Sequence, residues 1–102
     1  MPINQDHHID LAKAAEMTKK FRDCQPVGTI IAHAFNKSII QEIIDQPLCE
    51  GIRIYNAIDD SNIRTVVITG IDGNGNDLYN GVLAEYAERC PQICAPHNPL
   101  NC

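Results

Sequence analysis

The first regular pattern along the chain is an apolar stripe at helical spacing. Its positions recur every three or four residues, with charged residues on the other faces: Leu11, Ala14, Ala15, Thr18 and Phe21. Asp10 stands just before them, and an aspartate there caps a helix because its carboxylate accepts hydrogen bonds from free backbone N–H groups. The pattern predicts a first helix over residues 11–22, which the segment around Pro26 and Gly28 ends.

A second and denser apolar stripe predicts another helix over residues 37–45. It consists of Ile39, Ile40, Ile43 and Ile44. Asn36 is one candidate N-cap, and Ser38 with Gln41 has the spacing of a capping box. Pro47 prevents the helix from continuing. We expect this face to be buried, because four isoleucines in water would form an aggregation-prone patch.

Alternating apolar positions then indicate a β-hairpin. Ile52, Ile54 and Ile58 alternate with more polar residues, and residues 63–71 are rich in Val, Ile and Thr. Turn-forming residues 59–62 lie between the two segments. The pattern predicts antiparallel strands over 52–58 and 63–71, with these isoleucines facing inward and the alternate positions Arg53 and Tyr55 facing outward. The β-branched run at 29–35 is a further candidate strand.

The segment 77–89 allows two interpretations. Leu78, Val82 and Tyr86 fall four residues apart, which favours a third helix capped by Asp77. The Asn80-Gly81 pair is turn chemistry and weakens that helix, so a third strand is the alternative.

These elements predict an α+β fold with two N-terminal helices packed on a small antiparallel sheet. The length of 102 residues fits one domain, which we place at 9–89 between a polar tail at 1–8 and a Pro/Cys-rich, irregular tail at 90–102. Two or three strands cannot cover all the predicted apolar faces. A third helix, a third strand or a homodimer contact is therefore expected.

Composition and charge exclude several classes of function. The formal net charge is −5 and the pI is near 5.1, so the chain lacks the basic surface that binds phosphate backbones, and we expect no nucleic-acid partner. Its apolar runs are far shorter than the roughly 18 residues of a membrane span, so we expect no membrane partner. The first eight residues have neither the basic start nor the apolar stretch of a secretory signal, which predicts a cytoplasmic location.

The cysteines carry the most distinctive candidate chemistry. The tail contains Cys90, Cys94, His97 and Cys102, and thiolates with imidazole are the ligands that zinc prefers in closed sites. The three-residue gap between the first two departs from the usual zinc and redox motifs. A zinc site, a disulfide or redox pair, and plain thiols therefore all remain open. Cys24 and Cys49 are expected to be small buried apolar residues.

Other candidate sites are incomplete. The run Asp72-x-Asn74-x-Asn76 matches the start of a calcium loop, but the sixth and twelfth positions hold Asp77 and Leu83 rather than Gly and Glu. His33 lies in an apolar stretch with no nucleophile that the sequence sets beside it, although Cys49 is a conceivable partner. We therefore predict no catalytic residues and no cofactor other than the zinc considered above.

Three segments together resemble a group of small bacterial proteins of unassigned function. The segments read QPxCxGIRIY at 46–55, VVIxGIDxxGND at 66–77 and CPxxC at 90–94. The resemblance spans most of the chain, and it implies a cytosolic bacterial origin. It carries over no catalytic residue.

Two functional hypotheses follow. The first is a non-enzymatic binding or interaction module, homodimeric or bound to another protein, because the chain has surplus apolar surface and no recognisable catalytic set. The alternative is a metal-binding or thiol-redox-responsive protein that uses Cys90, Cys94, His97 and Cys102.

Overall fold

The computed structural model describes residues 5–101 and has the α+β composition that the sequence predicts. Its elements are, in chain order, α1 (Leu11–Asp23), β1 (Ala32–Ala34), α2 (Lys37–Ile44), β2 (Gly51–Ile58), β3 (Arg64–Ile71), β4 (Leu83–Ala84) and β5 (Glu88–Cys90). β2, β3 and β4 form a three-stranded antiparallel sheet in that order, and β1 pairs with β5 in a two-stranded sheet.

The described residues divide into two compact units. The first comprises residues 33–88 with Gln5, and the second comprises residues 6–32 and 89–101. α2 and the three-stranded sheet belong to the first unit, whereas α1 belongs to the second. Within the described residues, no helix is both long enough and apolar enough to cross a membrane.

Both predicted helices are present and begin at aspartate or asparagine caps. The Asp10 carboxylate accepts a hydrogen bond from the Lys13 N–H at 2.7 Å, and Asn36 Oδ1 accepts one from the Ile39 N–H at 2.9 Å. The cap of α2 is therefore Asn36 rather than Ser38, whose hydroxyl donates to Asn36 Oδ1. No residue of α1 is buried, so the expectation that it packs on the sheet stays a prediction.

The predicted hairpin is confirmed. β2 and β3 pair antiparallel, with Gly51 opposite Ile71 at one end and Ile58 opposite Arg64 at the other. The Asp59 carboxylate closes the turn by accepting hydrogen bonds from the N–H groups of Ser61 and Ile63. β4 adds a short third strand on the far side of β3, where Ala84 lies opposite Ile68.

The core of the first unit lies where α2 meets β3 and β4. Ile43, Ile68 and Ala84 form a buried cluster, and four partly buried side chains pack against it: Phe35, Ile39, Ile40 and Val82. Ile43 is 0% exposed, so the densest apolar stripe of the sequence does face the core. This burial is the main apolar contribution of α2 to the unit.

The predicted burial of the β2 isoleucines is wrong. Ile52, Ile54 and Ile58 are 39%, 56% and 69% exposed, respectively. Residues opposite each other in an antiparallel pair lie on the same face, and Ile54 is opposite the buried Ile68, so the three isoleucines do lie on the core face. They are exposed because the core cluster that Ile43 of α2 forms lies over β3 and β4. Among the described residues, that cluster includes Ile68 and Ala84 but no side chain of β2.

The third helix over 77–89 is also wrong, and the alternative of a strand is correct only in part. The segment turns at residues 78–81 and then forms β4 and β5. Leu78 donates its N–H to the Gly70 carbonyl at 2.8 Å, and Asp77 contacts β2 instead of capping a helix. These long-range contacts outweigh a local spacing that Gly81 already weakens.

Candidate functional site

The outer edge of β2 is an open edge of the three-stranded sheet. Asp59 donates its N–H to the Ile63 carbonyl at 2.9 Å, and this bond fixes which residues of β2 direct their backbone toward β3. Because the pattern alternates, the odd-numbered residues of β2 bond to β3 and the even-numbered ones direct N–H and C=O away from it. Among the described residues, no strand pairs with that outer row.

The residues whose backbone N–H and C=O groups point away from β3 are Ile52, Ile54, Asn56 and Ile58. They combine an unpaired backbone row with an uncovered apolar face on the same eight-residue strand. Proteins usually protect such edges with lysine, proline or a very short strand, and β2 has none of these features. We call this surface the β2 edge.

The opposite face of β2 carries a polar cluster. The Arg53 guanidinium and the Tyr55 hydroxyl each donate a hydrogen bond to the Asp77 carboxylate, one to each oxygen. Arg53 also donates to the Gly75 carbonyl at 3.1 Å. The cluster therefore fastens the loop at residues 72–77 to the strand.

The loop itself is shaped by Asp72. Its carboxylate accepts hydrogen bonds from the N–H groups of Asn74 and Asn76, both at 2.9 Å, and one from the side-chain amide of Asn76. Gly75 takes a φ of +85°, a left-handed conformation that glycine adopts without steric cost. The residues of the apparent calcium motif thus form hydrogen bonds within the loop, and the folded loop places Asp77 beside β2.

Hydrogen bonds also shift the pKa values of these groups. The Tyr55 hydroxyl, followed by the Arg53 guanidinium, lowers the pKa of Asp77 below its usual value of 3.8. The same carboxylate raises the pKa of Tyr55 and that of Arg53. Backbone N–H donors, that of Asn76 foremost, lower the pKa of Asp72. Both aspartates are therefore held in the charged form.

A pH-dependent loss of stability follows from these two aspartates. A carboxyl group with a lowered folded-state pKa stabilises the fold above its unfolded pKa, and that contribution is lost as the pH falls through the folded pKa. We expect the melting temperature to fall as the pH drops below the unfolded-state pKa of an aspartate, about 4, and to fall less steeply in Asp77→Asn. Thermal melts by circular dichroism test this, with Asp60→Asn as the matched turn variant. Equal pH slopes for Asp77→Asn and the unmodified chain would contradict the assignment.

The structure joins Cys90 and Cys94 in a disulfide, with their Cα atoms 4.7 Å apart. Cys90 is buried at the end of β5, whereas Cys94 lies in the irregular segment after the turn at residues 91–92. Of the two remaining described cysteines, Cys24 is exposed, which corrects its expected burial, and Cys49 is half-buried with its Sγ donating to the Gly51 carbonyl.

The four proposed zinc ligands are only partly described. Cys90 and Cys94 bond to each other, His97 lies in the turn-rich segment that follows, and Cys102 is outside the described residues. Within residues 5–101, no three His, Cys, Asp or Glu side chains are grouped so that they could hold a metal ion. The zinc site therefore stays a prediction.

His33 and Cys49 show no catalytic alignment. The Nε2 atom of His33 is buried and has no hydrogen-bond partner within the part of the chain that the structure describes. The Cys49 thiol is engaged with a backbone carbonyl of its own segment. A nucleophile and a general base must lie within hydrogen-bond reach of each other, and the structure shows no such bond here.

Comparison with known proteins adds no relative. No protein-family model matches the chain, and no curated protein or solved structure shows significant similarity to it. The resemblance to small bacterial proteins therefore stays a prediction.

Proposed function

We propose that the chain is a non-enzymatic interaction module that binds a second copy of itself through the β2 edge. The observation that supports this most is the coincidence of an open strand edge with three uncovered isoleucines on one face. Strand addition to such an edge uses backbone hydrogen bonds for affinity and alternate side chains for specificity. Binding by strand addition needs no catalytic residue. A cytoplasmic location remains part of the proposal.

A second copy suits this edge because β2 is compatible with antiparallel self-pairing. In a twofold dimer the same strand lies on both sides, and the outward-directed residues of one copy must meet those of the other. When the pairing is centred on one residue, each even-numbered residue of β2 lies opposite an even-numbered residue of the second copy. The unpaired backbone groups of the two strands therefore meet in every such register. Such pairing would join the two three-stranded sheets into one continuous sheet.

Side-chain chemistry selects the register centred on Asn56. It sets Ile54 opposite Ile58 of the second copy, so apolar side chains face each other twice across the axis. Centring on Tyr55 instead sets Glu50 opposite Asp60 of the second copy, where like charges repel.

The test is the oligomeric state of the intact chain. We expect sedimentation equilibrium to show a monomer–dimer equilibrium at micromolar concentration, and Ile54→Lys to shift it fully to monomer. Lysine on an edge strand opposes pairing, and here its charge would lie opposite the apolar Ile58 of the second copy. Ile54 is more than half exposed, so the variant should keep the circular dichroism spectrum and melting temperature of the unmodified chain.

Val27→Lys is the matched control, because Val27 is a fully exposed apolar residue that does not belong to β2. It makes the same change in charge and should leave the dimer intact. A chain that stays monomeric at all accessible concentrations, or dimers that Ile54→Lys and Val27→Lys weaken equally, would contradict the proposal.

The Cys90–Cys94 disulfide favours a second candidate function, a response to thiol redox conditions. In a reducing compartment such a bond is usually transient or regulatory, so a cytoplasmic location would make this pair redox-active. Two molecules of a thiol reductant would reduce it, giving two protein thiols and one reductant disulfide. The reduced pair would then be available for the predicted zinc site with His97 and Cys102.

Thiol titration tests this second candidate. We expect two more titratable thiols after reduction than before in the unmodified chain, and no such gain in Cys94→Ser. Elemental analysis of the reduced, untagged protein tests for zinc. Equal thiol counts before and after reduction, without bound zinc, would exclude both the redox and the metal roles.

A further inference from the structure

A cleft in the first unit lies apart from the β2 edge and has a different chemistry. Its volume is about 650 Å³, which is within the range of small-molecule sites. Phe35 and Ile39 line it at the start of α2, Val67 lines it from β3, and Leu83 lines it from β4. These side chains give the cleft an apolar lining.

The charged residues of the cleft are all acidic. Glu85 and Glu88 line it, and no lysine, arginine or histidine does so among the described residues. The carboxylate of Glu85 is held in place, because its Oε1 accepts a hydrogen bond from the hydroxyl of the buried Thr65 at 2.8 Å. A fixed carboxylate beside an apolar lining attracts a cation that also carries apolar surface.

An exposed aromatic ring completes this set. Tyr86 lines the same cleft, is 92% exposed and has a φ of +60°. A non-glycine residue rarely adopts this left-handed conformation, and such residues concentrate at functional sites. Aromatic rings bind ammonium groups through their negative faces, and both Tyr86 and Phe35 line this cleft.

We propose that this cleft binds a small organic ammonium ion with an aromatic body. Glu85 and Glu88 would balance the charge of the ammonium group, and the apolar lining would cover the body of the ligand. The net charge of −5 on the chain would favour the approach of such a cation. The site is independent of dimerisation, because no residue of β2 lines the cleft.

Phenethylammonium is a suitable probe, with the uncharged 2-phenylethanol as its matched analogue. Titration of the intact chain, followed by amide chemical shifts in NMR, should show saturable binding of the amine centred on residues 83–88. We expect the alcohol to bind at least tenfold more weakly, because it has the same body without the charge.

Glu85→Gln should weaken binding of the amine about tenfold while leaving the melting temperature unchanged, since the glutamine oxygen can still accept from Thr65. Tyr86→Leu should weaken it as well. Glu42→Gln, on the exposed side of α2, is the control and should bind as the unmodified chain does. Equal binding of amine and alcohol, no saturable binding at all, or equal losses in Glu85→Gln and Glu42→Gln would overturn the proposal.

Discussion

Ile43→Asp should prevent cooperative folding of the unit formed by residues 33–88, whereas Ile44→Asp should be tolerated. Ile43 is 0% exposed and packs in the cluster with Ile68 and Ala84, while Ile44 is 44% exposed. The first substitution removes a core side chain and buries a carboxylate that has no partner. Together these effects cost on the order of 5 kcal/mol, which is comparable to the whole stability of a small domain.

The two variants differ by one position and carry the same charge change, so the comparison isolates burial. Urea titration followed by circular dichroism measures it. We expect no cooperative transition for Ile43→Asp and a midpoint close to that of the unmodified chain for Ile44→Asp. Similar midpoints for both variants would show that α2 does not present Ile43 to the sheet.

The apolar period of α2 is strong enough to identify the element and its buried side from sequence. Ile39, Ile40 and Ile43 all take part in the core of the first unit. Ile44 lies at the border of the stripe and is nearly half exposed, so the period locates the centre of the face better than its margins. The cap of α1 was also predictable, because Asp10 accepts from a backbone N–H three residues later. For α2 the sequence offered both Asn36 and Ser38, and the structure has Asn36 as the cap.

The isoleucines of β2 show a limit of the same reasoning. A two-residue period identifies which side chains share a face, and Ile52, Ile54 and Ile58 do share the core face. It carries no information about where the helix packs on the sheet, and the position of the helix decides which strands it covers. The core cluster joins α2 to β3 and β4, so the side chains of β2 that were expected in the core instead form the candidate interaction surface.

The polar cluster on the other face illustrates a second limit. Arg53 and Tyr55 are two residues apart on one strand, a spacing that already places them on the same side. Their partner Asp77 lies more than twenty residues later and arrives only because the Asp72 loop turns back. Asp77 follows a turn, and its position in the sequence was equally consistent with the N-cap of the helix predicted over 77–89.

Gly81→Ala should destabilise the first unit by about 1–3 kcal/mol, although this change is neutral or stabilising at a position with room for a methyl group. A Cβ at position 81 would overlap the Oε1 atom of Gln46. That oxygen accepts from the Val82 N–H at 2.8 Å, and the amide nitrogen of Gln46 donates to the Ile43 carbonyl at 2.9 Å. The methyl group can fit only if the amide moves and breaks these bonds.

Gln46 thus connects the end of α2 to the chain that leads into β4, and Gly81 leaves the space for it. Gly73→Ala is the matched control, because a Cβ there meets only the Glu50 side chain at an ordinary 3.6 Å. In a Gln46→Ala background the overlap no longer exists, so Gly81→Ala should then cost almost nothing. Urea unfolding of the four chains of this double-mutant cycle measures the coupling. Additive costs would show that the Gln46 amide does not occupy the space beside Gly81.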